Sequence, residues 1–314
     1  MIQIASLLTE QALADEFVQS LAARRLDEKF FYWFPLSVRA WLALCSDGAY
    51  RNFVRSRSLI AQSRTELAGQ TPAGEIEVLS LGAGQGDKDV LLLEALRGHG
   101  RSVRYVPVDA SQGLLEIACQ SAGDAGFPAQ GIKADVARAD HLRALAADSR
   151  TPPRLVMMLG NTLGAFDPLA MARALRELLR PTDLLLVDGE VYAGGDTVAG
   201  YDNPLNRQFA WAPLHSVGIG EADGELRFEV RDDPRLPGLY PLAKYFAPRR
   251  DIVARVGGET LALTAGERVE MNHSYKYSAD TFTRILADAG LKVRWRGTSD
   301  HGRFLMVLAE RGLA

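Results

Sequence analysis

The chain has 314 residues, 47 % of them hydrophobic and 24 % charged, with a formal net charge of −3, which excludes a disordered, collagen-like or disulfide-stapled chain. One large domain with a smaller partner region is expected at this length, and the scattered basic residues argue against nucleic acid as a partner. Cys45 and Cys119 form no disulfide framework, the five histidines show no metal-ligand spacing, and no secretion signal or apolar membrane-spanning run is found, so no metal and a cytoplasmic location are expected.

Residues 1–70 read as helices, because Glu10 to Ala23 and Leu36 to Leu44 repeat apolar positions at three- and four-residue spacing. Gly69 to Gly74 breaks that pattern as a linker would. From Glu75, short apolar runs alternate with helical stretches, the sign of a parallel sheet with crossover helices over 71–191. The expected strands are Ile76–Leu81, Val103–Val108, Gln130–Lys133, Leu155–Leu159 and Leu184–Val187. The helices between them are Lys88–Arg97, Gly113–Gln120, Ala137–Ala147 and Leu169–Leu179. Residues 192–277 are richer in Gly, Pro and aromatics, with strand-like pieces at Glu225–Val230 and Ile252–Val256, and read as an inserted cap. Residues 278–314 supply a closing helix, Ala279–Ala289, and two strands, Leu291–Arg296 and Phe304–Ala309, completing a seven-stranded sheet whose last strand is antiparallel.

The sharpest local signal is the strand Val78 to Leu81 running into Gly82-Ala83-Gly84-Gln85-Gly86 and then a helix. Glycines there let the backbone pass under a ligand, although a purely structural turn has the same composition. Asp109 ends the next strand, where its two oxygens can accept from both hydroxyls of an adenosyl ribose; the competing reading is a helix cap, a role Ser111 also fits. That placement alone does not separate an adenosyl sulfonium from a nicotinamide dinucleotide. The glycine spacing, G-x-G-x-G, and the terminal strand pair favour the former. Asp135 and Val136 follow the third strand, placed for the adenine amino group and ring, with a simple helix cap as the alternative for Asp135. Lys88, just inside the first crossover helix, is either a partner for a ligand carboxylate or a solvated surface lysine. The fourth strand ends in Leu159-Gly160-Asn161-Thr162-Leu163-Gly164-Ala165-Phe166-Asp167-Pro168, where Asn161 is the expected ligand contact and Asp167 reads as a helix cap.

Taken with Leu26-Asp27-Glu28-Lys29-Phe30-Phe31-Tyr32, Tyr201-Asp202 and Ser274-Tyr275-Lys276-Tyr277, these pieces make the chain resemble the histidine-specific, S-adenosylmethionine-dependent methyltransferases of ergothioneine biosynthesis, over about Leu26 to Leu308. The resemblance implies an α/β class I methyltransferase fold, a Rossmann-like sheet with a second, smaller α+β substrate-binding domain built from 1–70 and 192–277. It implies S-adenosylmethionine as cofactor, held by Gly82, Gly84, Lys88, Asp109, Asp135, Val136, Gly160 and Asn161. It also implies that Tyr201 and Tyr50 hold the carboxylate of the acceptor; the expectation drawn from this is that Tyr201 is the catalytic residue that orients the acceptor and that Asn272 and Ser274 read its far end. Two positions depart from the family: Ala165 stands where an asparagine grips the substrate amino acid, and Asn272 where a glutamate reads the imidazole. The segment after Tyr201-Asp202 is also shortened. The expectation is therefore an N-methyltransferase acting on a small amino-acid-like amine other than histidine. Retained histidine Nα-methylation, another N- or O-acceptor, and a non-catalytic cofactor-binding protein are the alternatives.

Overall fold

The computed structural model describes residues 2–48, 50–146, 151–256 and 258–312. In chain order its elements begin with β1 (Gln3–Ser6), α1 (Glu10–Ala22), α2 (Phe30–Trp33), α3 (Pro35–Ser46) and α4 (Arg51–Gln70). There follow β2 (Glu75–Leu81), α5 (Asp87–Gly98), β3 (Ser102–Asp109), α6 (Gln112–Asp124), β4 (Gln130–Lys133), α7 (Ala139–Ala144), β5 (Arg154–Met158), α8 (Pro168–Leu178) and β6 (Leu184–Glu190). The cap segment carries α9 (Gly195–Tyr201), α10 (Pro204–His215), β7 (Gly224–Val230), β8 (Leu239–Pro248), β9 (Ile252–Val256), β10 (Glu259–Leu263) and β11 (Val269–Tyr277). The chain closes with α11 (Ala279–Asp288), β12 (Leu291–Ser299) and β13 (Phe304–Arg311).

The main sheet has eight strands in the order β1-β4-β3-β2-β5-β6-β13-β12. β1 to β6 run parallel and β13 is antiparallel to both its neighbours. Strands β5 and β6 are buried over their whole length, with apolar runs over 155–158 and 184–187, because helices cover both faces of a parallel sheet and leave no phase of the strand for water. On one face α8 and α11 bury Met171, Leu175, Phe282 and Ile285; on the other α4 and α5 bury Leu59, Leu67, Leu92 and Leu96. Strand order reverses between β2 and β5, so the loops leaving their carboxyl ends part and open a crevice there.

Three features differ from the sequence expectation. The expected seven strands are joined by β1, which lies parallel beside β4 at the sheet edge, with Ile4 opposite Gly131. A Cβ on Gly131 would sit 3.0 Å from Ile4 Cγ1 and 3.1 Å from Cys119 Sγ, so the missing side chain is what admits the edge strand. In addition, α4 packs on α5, β12 and β13 in the sheet layer, so the helical block over 1–70 is divided between the two layers. The helix expected over Ala137–Ala147 is observed over Ala139–Ala144, and its expected last residue lies outside the described residues. No helix among the described residues is long and apolar enough to cross a membrane.

Above the crevice, β7, β8 and β11 form a three-stranded antiparallel sheet and β9 and β10 a hairpin. α1 to α3 and α10 pack with these strands around an aromatic core in which Phe17, Phe30 and Phe31 are completely buried. β8 and β11 share a bulge: Tyr245 pairs with Glu270 and Ala243 with His273, so Met271 and Asn272 together stand opposite Lys244.

Candidate active site

The crevice floor is the loop after β2. Gly82 holds φ at +67°, and a Cβ there would lie 2.9 Å from Thr162 Cγ2, so side chains are excluded by both conformation and space. Its N–H and that of Ala83 donate to the Val108 carbonyl, which ties the glycine loop to the end of β3. At that end Asp109 accepts from the Gly84 N–H through Oδ2 at 2.9 Å and from the Ser111 N–H through Oδ1 at 2.9 Å. Ser111 caps α6, with its side chain accepting from the Leu114 N–H, so Asp109 is not the helix cap. Burial pushes the Asp109 carboxyl up from its ordinary value, and its three backbone N–H contacts counter this. A carboxylate in that position keeps acceptor capacity for further donors of the kind that a ribose diol offers.

Asp135 and Val136 line the same crevice. Asp135 is ion-paired with Lys29 at 2.8 Å and accepts from the Ala137 N–H at 2.9 Å, so it closes a local turn as well as facing the cavity. Lys88 reaches across the crevice to Gly160, where an added Cβ would lie 2.7 Å from its Nζ. It makes no hydrogen bond or ion pair among the described residues and rests over the Phe53 ring at 5.5 Å, which leaves its charge available to an anionic ligand.

Asn161 takes the left-handed conformation with φ of +64°. Its amide is used within the protein as a clasp joining three elements. Oδ1 accepts from the Glu190 N–H at the end of β6, and Nδ2 donates to Ser274 Oγ at 3.1 Å and to the Tyr275 carbonyl on β11. Its own N–H donates to Asp188, which also accepts from Ser56. Asn161 therefore lines the crevice while fixing where the cap strand crosses it.

Behind this wall lies a buried polar cluster. Glu190 pairs with Lys276 at 2.9 Å and with Arg55 at 3.2 Å, and accepts from Asn52 Nδ2 at 2.9 Å. The Tyr201 hydroxyl accepts from Lys276 and from Asn52 Nδ2, and lies 3.3 Å from Glu190. Tyr201 is thus enclosed, and it does not line the crevice; the expected direct hold on the acceptor is replaced by an edge-to-face contact with the ring of Tyr50, centroids 6.2 Å apart. Burial raises both phenols above their ordinary range, so they act as neutral hydroxyls.

Tyr50 and Ser274 line the crevice; Asn272 does not, facing instead the neighbouring cleft beneath the cap. Crevice and cleft meet at a neck formed by Glu28, Lys29, Asp135, Val136, Ala165 and Phe166. Glu28 was not singled out from the sequence, although it sits inside one of the resembling motifs. It accepts from Asn272 Nδ2 at 2.7 Å and from the Tyr32 hydroxyl at 3.2 Å, and burial pushes its carboxyl up. Lys276, Glu190 and Lys244 were missed as well. The signal for Lys244 is its phase: in the alternating pattern of β8 it falls between Leu242 and Phe246 on the buried face, where an apolar residue is expected.

Four buried polar atoms of residues lining the two cavities have no partner among the described residues: Trp41 Nε1 and Gln85 Oε1 in the crevice, Asn272 Oδ1 and His273 Nε2 in the cleft. Trp41 lines the crevice beside Gly84, and an N–H left unmet there matches a site that a polar ligand completes. The glycine cradle, the carboxylate at Asp109, the open cation at Lys88 and this orphaned donor together fit an adenosyl amino acid.

Residues 13–203 and 241–311 match the profile of the family described as histidine-specific, SAM-dependent methyltransferase. The chain is 23 % identical over 293 residues to the N-methyltransferase fsqC of Aspergillus fumigatus, covering 90 % of this chain and 79 % of that protein. It is 27 % identical over 255 residues to the histidine N-alpha-methyltransferase of Mycolicibacterium smegmatis, covering 76 % of each. With the corresponding enzyme of Mycobacterium tuberculosis the identity is 27 % over 277 residues and 82 % of each chain. By its sheet order, its glycine crevice and this match over most of its length, the chain belongs to the histidine-specific, S-adenosylmethionine-dependent methyltransferase family.

Proposed function

We propose that the protein methylates the amine of a small amino-acid-like acceptor other than histidine, and that the acceptor nitrogen occupies the neck between crevice and cleft. The observation that carries this reading is the neck itself: Glu28 and Ala165 border both cavities, and Tyr50 and Ser274 face the crevice beside it. S-adenosylmethionine, held by Gly82, Gly84, Lys88, Asp109, Asp135, Val136, Gly160 and Asn161, supplies an electrophilic methyl group already bonded to a good leaving group. The protein's part is positioning, exclusion of water and a neutral nitrogen lone pair.

Glu28 suits the last task, because burial has raised its affinity for a proton and the residue borders the neck. It would draw the acceptor's ammonium in by charge and take up the proton that must leave before the lone pair is free. Tyr50 donates to the acceptor from the crevice wall. Tyr201 acts through it, since Lys276 and Asn52 fix the Tyr201 hydroxyl and the Tyr201 ring packs edge-to-face on that of Tyr50. Asn272, at the cleft end, meets the remainder of the acceptor with its open Oδ1.

Histidine is disfavoured because a pocket that reads an imidazole needs its polar groups paired by it, and each unpaired one costs roughly 1 to 3 kcal/mol. One observation favours a second reading in which histidine is retained: Glu28 reaches Asn272, so a carboxylate still stands close to the place of the family's glutamate. The nearby ammonium of Lys244 weighs against it.

Tyr201→Phe is expected to lower kcat/KM for the amine roughly tenfold, the worth of one buried hydrogen bond, while leaving affinity for S-adenosylhomocysteine unchanged. Steady-state kinetics at saturating cofactor, run over free amino acids and related amines, measure this. An unaltered kcat/KM removes Tyr201 from the site, and absence of methylated product from every amine overturns the reading.

A further inference from the structure

Three lysines are buried among the described residues: Lys133, Lys244 and Lys276. Lys133 is paired with Glu10 and Lys276 with Glu190. Lys244 has no hydrogen bond or ion pair with any described residue. Its ammonium rests only over the faces of Phe31 and Phe209, 5.6 and 5.8 Å from the ring centroids. Glu28 lies near enough for its charge to be felt but is engaged by Asn272 and Tyr32.

An ammonium withdrawn from water without a counter-ion is costly, and ring faces repay only part of that cost. The bulge between Glu270 and His273 makes the placement specific, because it sets Met271 and Asn272 opposite Lys244, and Lys244 and Asn272 line the cleft together. A charge held at a cavity wall with no partner of its own is a binding group for an anion. Burial lowers the Lys244 amine to about 8, which still leaves it mostly charged at neutral pH.

Building on the amine-methylating role assigned above, we propose that Lys244 receives a carboxylate at the end of the acceptor remote from the methylated nitrogen, so that the acceptor class is an aminodicarboxylate. The distance between neck and Lys244 would then select for the length of the acceptor, and the apolar rings around the ammonium would exclude water from the pair.

The test uses matched acid and amide probes, aspartate with asparagine and glutamate with glutamine, on the full chain saturated with S-adenosylhomocysteine for calorimetry and with S-adenosylmethionine for turnover. The wild-type protein is expected to favour an acid over its amide by roughly tenfold or more, the worth of a charged hydrogen bond. Lys244→Met should bring the acid down to the level of the amide, leave the amide and S-adenosylhomocysteine affinity unchanged, and raise Tm at neutral pH by removing a buried charge. Should that variant fail to fold, the wild-type acid-to-amide ratio and the Lys244→Gln variant decide the matter. Equal binding of acid and amide, binding of neither, or an equal loss on both in Lys244→Met overturns the proposal. Failure of the underlying reading looks different: acids bind selectively, yet no amine is methylated.

Discussion

Asp109→Ala is expected to weaken binding of S-adenosylhomocysteine by roughly 100-fold or more, because two charge-assisted hydrogen bonds to the ribose are lost together. The same change releases the N–H groups of Gly84 and Ser111, both of which Asp109 now holds. The glycine loop would therefore also lose its tether to β3 on the ligand side. Asp109→Asn separates the two effects, since an amide keeps one acceptor oxygen but not the charge, and an intermediate affinity is expected. Calorimetry measures both, and wild-type affinity in Asp109→Ala would mean that the carboxylate serves only the turn.

Glu190→Leu is expected to destabilise the fold by about 3–5 kcal/mol, the range for breaking a buried ion pair and stranding its partner. The partner is Lys276, which is completely buried and would be left with only the hydroxyls of Tyr201 and Ser274. Arg55 suffers less because it also pairs with Asp300. Removing both charges in Glu190→Leu/Lys276→Met should recover much of the loss, since the desolvation cost of each ion vanishes with it. Urea denaturation of the two single variants and the double variant measures the coupling. Single variants as stable as wild type would show that the cluster carries no pairing energy.

The same cluster explains why part of the site could not be seen in the sequence. Glu190 lies at the end of β6, Tyr201 in α9, Lys276 on β11 and Asn52 in α4, and nothing local in any of these segments announces the other three. Their meeting depends on how β11 crosses the end of β6, a contact set by the Asn161 clasp. For that reason Tyr201 reads from its motif as a direct holder of the acceptor, whereas the packed chain encloses it and leaves Tyr50 at the wall. Glu28 and Lys244 escaped for a related reason, since each acquires meaning only through the cavity it borders.

What was legible has a local cause. β5 and β6 carry apolar runs because both faces are covered, and the glycine loop and Asp109 stand at strand ends where the chain must turn. Helix starts were marked by Ser111 and Asp167, whose side chains accept from the third residue onward. Strand β1 left no such trace: four residues at a sheet edge, mostly exposed, find their register only against β4, more than a hundred residues away.

The most direct test of the account is a crystal structure of the protein grown with S-adenosylhomocysteine. The ribose hydroxyls should rest on Asp109, the amino-acid carboxylate should face Lys88, and the sulfur should point at the neck beside Glu28 and Ala165. A nucleotide bound outside the Gly82–Gly86 loop, or a sulfur directed away from the neck, would contradict it.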